Sequence, residues 1–136
     1  METLVKKVLK ASFIRYIVVG ATGFIIDIGM TYLLRDGLGV NQYIANLFGV
    51  TLAIINNFVL NKYWTFEDKS RNIGKQLVRY IIISILGIIS NILLVWTFYG
   101  LLLLNFYGSK ILAIVLIVFW NFYANRAITF SKRLDK

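Results

Sequence analysis

Two stretches, N-F-V-L-N-K-Y-W-T-F at residues 57–66 and N-F-Y-A-N-R-A-I-T-F at residues 121–130, carry Asn, Phe, Asn, a cation, Thr and Phe in the same places. They lie 64 residues apart, and the same offset keeps matching outward from them. Arg15-Tyr16 falls on Arg79-Tyr80, Gly23 on Gly87, Asp27 on Asn91, Asn41 on Asn105 and Asn46 on Lys110. A period this long, held without an insertion, marks a duplicated supersecondary unit. Between the matched polar residues the chain is apolar. Residues 16–34 hold one charge, Asp27; residues 43–60 hold none; residues 77–124 hold only Arg79 and Lys110.

A helix crossing the hydrocarbon core of a bilayer needs about 20 apolar residues. The third apolar stretch therefore contains two spans, which part at Asn105 as the first two part at Asn41. Four spanning helices are expected, at about 12–34, 42–62, 77–99 and 106–126. The expected fold is an all-α membrane protein, one membrane domain over residues 1–136. Repeat 1 would cover about 12–66, a cytoplasmic loop about 67–76, and repeat 2 about 77–130. Each repeat has an even number of spans, so both enter the membrane with the same orientation. They should be related by a pseudo-two-fold axis along the membrane normal.

Composition agrees. Hydrophobic residues make up 59% of the 136, and charged residues only 15%, against roughly a quarter in soluble domains. The formal net charge of +9 would suggest a nucleic-acid partner in a soluble protein. Its distribution argues against one: of 15 Lys and Arg residues, all but Arg35 and Lys110 sit on one expected side of the membrane. By the positive-inside rule both termini and the central loop are cytoplasmic. The lysines at 6, 7 and 10 precede an apolar run too long for a signal peptide. That first segment reads as an interfacial helix lying on the membrane ahead of a retained span. Without Cys or His, thiol chemistry, imidazole acid–base work and soft metal sites are excluded. No cofactor or metal is expected. Without Pro, broken transporter helices are not expected, and movement would be rocking of whole helices.

The polar residues sort onto faces at 100° per residue. Gly20, Gly23 and Asp27 share a face of the first span; Ser84, Gly87 and Asn91 share the matching face of the third. Asn46, Asn57 and Asn61 line the second span, and Lys110, Asn121 and Asn125 the fourth. Each helix pair thus carries a polar stripe. A charge at mid-membrane is unfavourable by about 2.5–3.5 kcal/mol on insertion scales, so Asp27 and Lys110 are expected to meet across the repeat interface. Such a pair either fixes helix packing or contacts cargo. Arg15, Arg79, Lys62 and Arg126 cluster at the cytoplasmic edge. They either snorkel to lipid headgroups or hold a phosphate beside sugar hydroxyls bound by the asparagines. Trp64, Phe66 and Phe130 are either interfacial aromatics or a stacking surface for a sugar.

The pattern R-Y-x-x-V-G-x-x-x-x-x-x-D from Arg15 to Asp27, followed by N-F-x-x-N-K-x-W-T-F from Asn57 to Phe66, resembles the GtrA-like family of four-helix membrane proteins. The likeness runs over about residues 12–131. It implies movement of polyprenyl-phosphate-linked sugars across the bacterial inner membrane for envelope polysaccharides. By this resemblance Arg15, Asp27, Asn57, Asn61, Lys62, Phe66, Asn121, Asn125 and Arg126 fall on motif positions. Ile128 departs from it, standing where Trp64 stands in the first repeat.

Taken together, the expectation is a flippase without ATP, whose substrate-binding residues are Arg15, Asp27, Asn57, Asn61, Lys62, Trp64, Phe66, Arg79, Asn91, Lys110, Asn121, Asn125 and Arg126. Its partners would be the sugar lipid, membrane lipids, further copies of itself in a homo-oligomer, and a membrane glycosyltransferase. Two rivals stand beside it. One is a proton-coupled exporter of small cations using Asp27, which a nearby Lys110 disfavours. The other is an accessory subunit that anchors a membrane glycosyltransferase. No nucleophile–base constellation points to an enzyme.

Overall fold

The computed structural model describes residues 1–134. Four α-helices follow in chain order: α1, Glu2–Tyr32; α2, Gln42–Leu60; α3, Ile73–Val95; α4, Phe106–Ala124. Each ends in a wider π-helical turn, at Leu33–Gly37, Asn61–Thr65, Trp96–Leu101 and Asn125–Thr129. In each the backbone N–H reaches five residues back, as from Phe66 to Asn61 and from Phe130 to Asn125, both 2.9 Å. With these turns the helices run 36, 24, 29 and 24 residues, and all four are long and apolar enough to cross a membrane. The protein is an all-α, multi-pass membrane protein. Large apolar side chains in mid-helix point outward: Phe24, Ile25, Ile92 and Ile111 are each at least 64% exposed. In water such faces would have to be covered; in lipid they are the solvent-facing surface.

The chain forms two compact units, Met1–Lys69 and the part from Ser70 onward. Unit 1 is the α1–α2 hairpin and unit 2 the α3–α4 hairpin. In each, an asparagine starts the second helix. The Asn41 side chain accepts from the Tyr43 N–H at 2.9 Å, and Asn105 accepts from Tyr107 and Gly108 at 3.0 and 3.1 Å. This is N-capping by a short polar side chain, and it sets the turn end of each hairpin. Small residues let the helices close. A Cβ on Gly23 would land on the Asn57 amide, and one on Gly87 would lie 2.8 Å from Asn121 Oδ1.

One expectation is corrected. Residues 2–11 do not form a separate interfacial helix; they are the first turns of α1, which runs unbroken for 31 residues. Nothing before Gly20 interrupts it, for Lys, Leu, Ala and Val all continue a helix. At 1.5 Å per residue α1 is about 46 Å long, more than the roughly 30 Å core requires.

The turn ends also share a left-handed residue: Gly39 has φ +66° and Leu103, 64 positions later, has φ +54°. Glycine takes that conformation freely, whereas leucine is strained there by about 1–2 kcal/mol. Leu103→Gly is therefore expected to stabilise unit 2 by about 0.5–1 kcal/mol after the added unfolded-chain entropy. A rise in thermal midpoint in detergent checks this; a fall would refute it.

Candidate functional site

Each hairpin has a turn end and an open end, and the polar residues gather at both. At the open end of unit 1 the cations are already engaged. Arg15 Nη1 donates to the Trp64 carbonyl at 2.9 Å and pairs with Glu67 Oε1 at 2.7 Å. Its guanidinium lies 5.8 Å from the Trp64 ring centre. Glu67 is held at φ +49°, a left-handed conformation for a residue with a Cβ. Lys62 Nζ meets Asp68 Oδ2 at 2.5 Å, the two side chains 1% and 3% exposed. Asn61 is buried and accepts from Thr65 Oγ1 at 2.9 Å. The Phe66 ring packs 6.2 Å from that of Tyr16.

Unit 2 repeats part of this. Asn125 accepts from Thr129 at 2.7 Å, the Tyr80 and Phe130 rings lie 6.4 Å apart, and Arg79 Nη1 reaches the Ile128 carbonyl at 3.5 Å. Arg79 Nη2 also donates to the Leu134 carbonyl at 3.3 Å. The difference lies just past the motif. Glu67-Asp68 in unit 1 corresponds in the repeat to Ser131-Lys132 in unit 2, so the two acids that neutralise Arg15 and Lys62 have no acidic counterparts there. Arg126, the counterpart of Lys62, is exposed and makes no ion pair among the described residues.

The turn end of unit 1 holds a polar cleft of about 240 Å³, lined by Asp27, Ile28, Thr31, Tyr32, Arg35, Asp36 and Asn46. Asp27 Oδ1 accepts from Thr31 Oγ1 at 3.3 Å. Gly49 of α2 lies against these two residues, and a Cβ there would fall 2.6 Å from the Asp27 carbonyl oxygen. Carboxylates, a guanidinium, an amide and two hydroxyls thus surround one small space. Sequence reading marked Asp27 but passed over Thr31, Tyr32, Arg35, Asp36 and Asn46 as binding residues. The spacing of 27, 31 and 35 on one helical face was the signal that could have found three of the seven lining positions.

Mid-helix amides complete the inventory. In unit 1, Asn56 Nδ2 donates to Thr22 Oγ1 at 3.1 Å and to Asn57 Oδ1 at 3.2 Å. In unit 2, Asn91 Oδ1 and Asn121 Oδ1 are buried without a hydrogen-bond partner among the described residues. Lys110 is exposed, its ammonium 5.7 Å from the Phe106 ring centre.

Residues 15–130 match the family model described as GtrA/DPMS, transmembrane domain. The chain is 29% identical over 121 residues to a dolichol-phosphate mannosyltransferase of Pyrococcus furiosus, covering 87% of this chain and 33% of that protein. It is 33% identical over 122 residues to the uncharacterized membrane protein YngA of Bacillus subtilis, covering 88% of this chain and 80% of that one. The chain thus spans about a third of the mannosyltransferase and most of the Bacillus protein.

Proposed function

This chain belongs to the GtrA/DPMS transmembrane-domain family, and from that premise we propose that it carries a polyprenyl-phosphate-linked monosaccharide across a bacterial cytoplasmic membrane. The observation that carries the reading is the turn-end cleft of unit 1. Its donors and acceptors, from Asp27 to Asn46, lie between apolar helices. A sugar presents hydroxyls that both donate and accept, and moving it out of water without new partners costs several kcal/mol. A site of mixed polarity replaces the lost water.

The lipid phosphate needs a cation that is not already neutralised. Lys62 is sealed against Asp68 and Arg15 is paired with Glu67, so in this proposal Arg126 takes the phosphate. Its planar fork of donors suits the task. Arg15, Asn61, Lys62, Trp64, Phe66 and Asn125 then hold the open ends together, while Arg79 ties α3 to the chain after α4. Both termini are placed in the cytoplasm by the positive-inside rule. The units are taken as tandem copies related by a pseudo-two-fold axis along the membrane normal, rocking as whole helices, with homo-oligomers completing the enclosure.

The same cleft weakens the cation-exporter reading, because Arg35 lines it beside Asp27 and repels cationic cargo. One finding favours a second reading. A relative carries this segment as one third of a mannosyltransferase, so this chain would serve as the membrane partner of a separate glycosyltransferase.

The test is leaflet transfer of undecaprenyl-phosphate monosaccharides in vesicles containing only the purified protein. Asp27→Ala is expected to lower the rate by about ten-fold or more, the value of one or two lost hydrogen bonds. Transfer absent with the wild-type protein alone, but restored by adding a glycosyltransferase, would replace the first reading with the second.

A further inference from the structure

The two units differ in whether their buried amides are satisfied, and the difference has an identifiable origin. In unit 1 Asp27 accepts from Thr31, and Asn57 accepts from Asn56. Moving 64 residues on, Thr31 becomes Val95 and Asn56 becomes Trp120. Val95 has no donor to offer, and the indole N–H of Trp120 makes no hydrogen bond to Asn121 among the described residues. The acceptors remain as Asn91 and Asn121, and these are the buried side-chain oxygens left without a partner among the described residues. Each such group is unfavourable by about 1–3 kcal/mol, and native structures hold few of them without a reason.

The two amides also share a place. Gly87 is one turn before Asn91 on α3 and lies directly against Asn121 of α4. Four residues along a helix is about 6 Å, so Asn91 stands about one turn along α3 from the Gly87–Asn121 contact. Each amide oxygen asks for one hydroxyl or N–H donor.

We propose that Asn91 and Asn121 form a hydroxyl-accepting station inside unit 2 that takes the sugar headgroup of the transported lipid, while unit 1, with its donors intact, is the rigid half. The station rests on the lipid-sugar reading above and adds to the unit 1 cleft a second place, within unit 2, where the sugar is held in mid-membrane. The divergence of positions 95 and 120 leaves both acceptors without an internal donor among the described residues, so that cargo supplies one. Unsatisfied amides weaken the empty protein and favour the occupied one, which is a differential affinity between the two states.

The experiment follows thermal unfolding of purified protein in detergent by the fluorescence of its three Trp residues. The probes are undecaprenyl-phosphate-glucose, undecaprenyl phosphate without sugar, and phosphatidylglycerol, whose headgroup hydroxyls are the competing source of donors. Wild-type protein should be stabilised more by the glucose lipid than by either other lipid. Asn91→Leu and Asn121→Leu should each weaken binding of the glucose lipid by about ten-fold, one hydrogen bond's worth. The same variants should leave the Tm of the lipid-free protein unchanged or raised. Asn57→Leu should lower that Tm, because it strips an acceptor from Asn56.

Full retention of the sugar-specific increment in both unit 2 variants would overturn the station. So would a lipid-free Tm that falls as far as in Asn57→Leu, which would show the amides to be satisfied by bound water. An equal increment from phosphatidylglycerol would overturn the sugar assignment. Leaflet transfer separates the two levels. A sugar-specific, Asn-dependent increment without transfer keeps the station and defeats translocation. Transfer without that increment does the reverse.

Discussion

Asp68→Ala is expected to destabilise the protein by about 3–5 kcal/mol, the usual consequence of removing one member of a buried ion pair. Lys62 and Asp68 meet at 2.5 Å with side chains 1% and 3% exposed. Without the carboxylate, an ammonium is left where water does not reach it. Much of the loss is this stranded charge rather than the worth of the pair. Lys62→Met combined with Asp68→Leu should therefore recover most of the stability, since apolar replacements of similar volume are often neutral or better. Thermal unfolding of the single and double variants in one detergent measures both. A Tm within a degree or so of wild type for Asp68→Ala would show that the pair is hydrated, and would return Lys62 to the set of cations available for phosphate. The chain just after the motif carries this contact: the Asp68 N–H donates to the Lys62 carbonyl at 2.8 Å, so the backbone and the side chain of Asp68 close on the same residue.

Gly49→Ala is expected to destabilise unit 1 by about 1–3 kcal/mol, as overpacking does. An alanine in place of a helical glycine ordinarily helps by about 1 kcal/mol, so the expected sign is reversed here. The cause is that the new methyl would meet the Thr31 hydroxyl, the Asp27 carboxylate and, at 2.6 Å, the Asp27 carbonyl oxygen. Side chains can move aside, but backbone yields only if α1 and α2 separate. Gly20→Ala is the control. Nothing lies within 4 Å of a Cβ there, and that substitution should be neutral or stabilising. Paired unfolding measurements decide the matter: equal effects of the two alanines would mean that α1 and α2 do not approach closely at Gly49. The substitution should also lower leaflet transfer, because parting α1 from α2 at Gly49 would move Asp27 and Thr31 away from Asn46, and all three line the cleft. In unit 2 the same position is Ala113, fully buried, so that hairpin already accommodates the methyl.

Much of this architecture was legible in the chain. Four apolar segments of sufficient length leave only helices as an option, because backbone groups in lipid must be satisfied within the segment. Asn41 and Asn105 identified the turns through the 64-residue repeat, and the structure shows that both cap the helix that follows. The 64-residue offset anticipated which contacts recur in each unit: Tyr16 with Phe66 and Tyr80 with Phe130, Thr65 on Asn61 and Thr129 on Asn125. The start of α1 was misjudged, since charge near an apolar run looks like an interface whether or not the helix continues through it. The acids at 67 and 68 were legible as well, standing opposite Ser131 and Lys132, but a motif ending at Phe66 and Phe130 hides them.

What the sequence by itself determined is therefore the number of helices, their pairing into hairpins, the membrane as solvent and the family. What only the tertiary structure decided is which polar residues are spare. Lys62 and Arg126 read alike, yet one is sealed against Asp68 and the other is exposed. Asn57 and Asn121 read alike, yet among the described residues one amide oxygen has a donor and the other has none. The physical reason is that hydropathy and period are properties of a single helix. The partner of a buried amide or charge is set by close packing and local backbone closure, down to a fraction of an ångström.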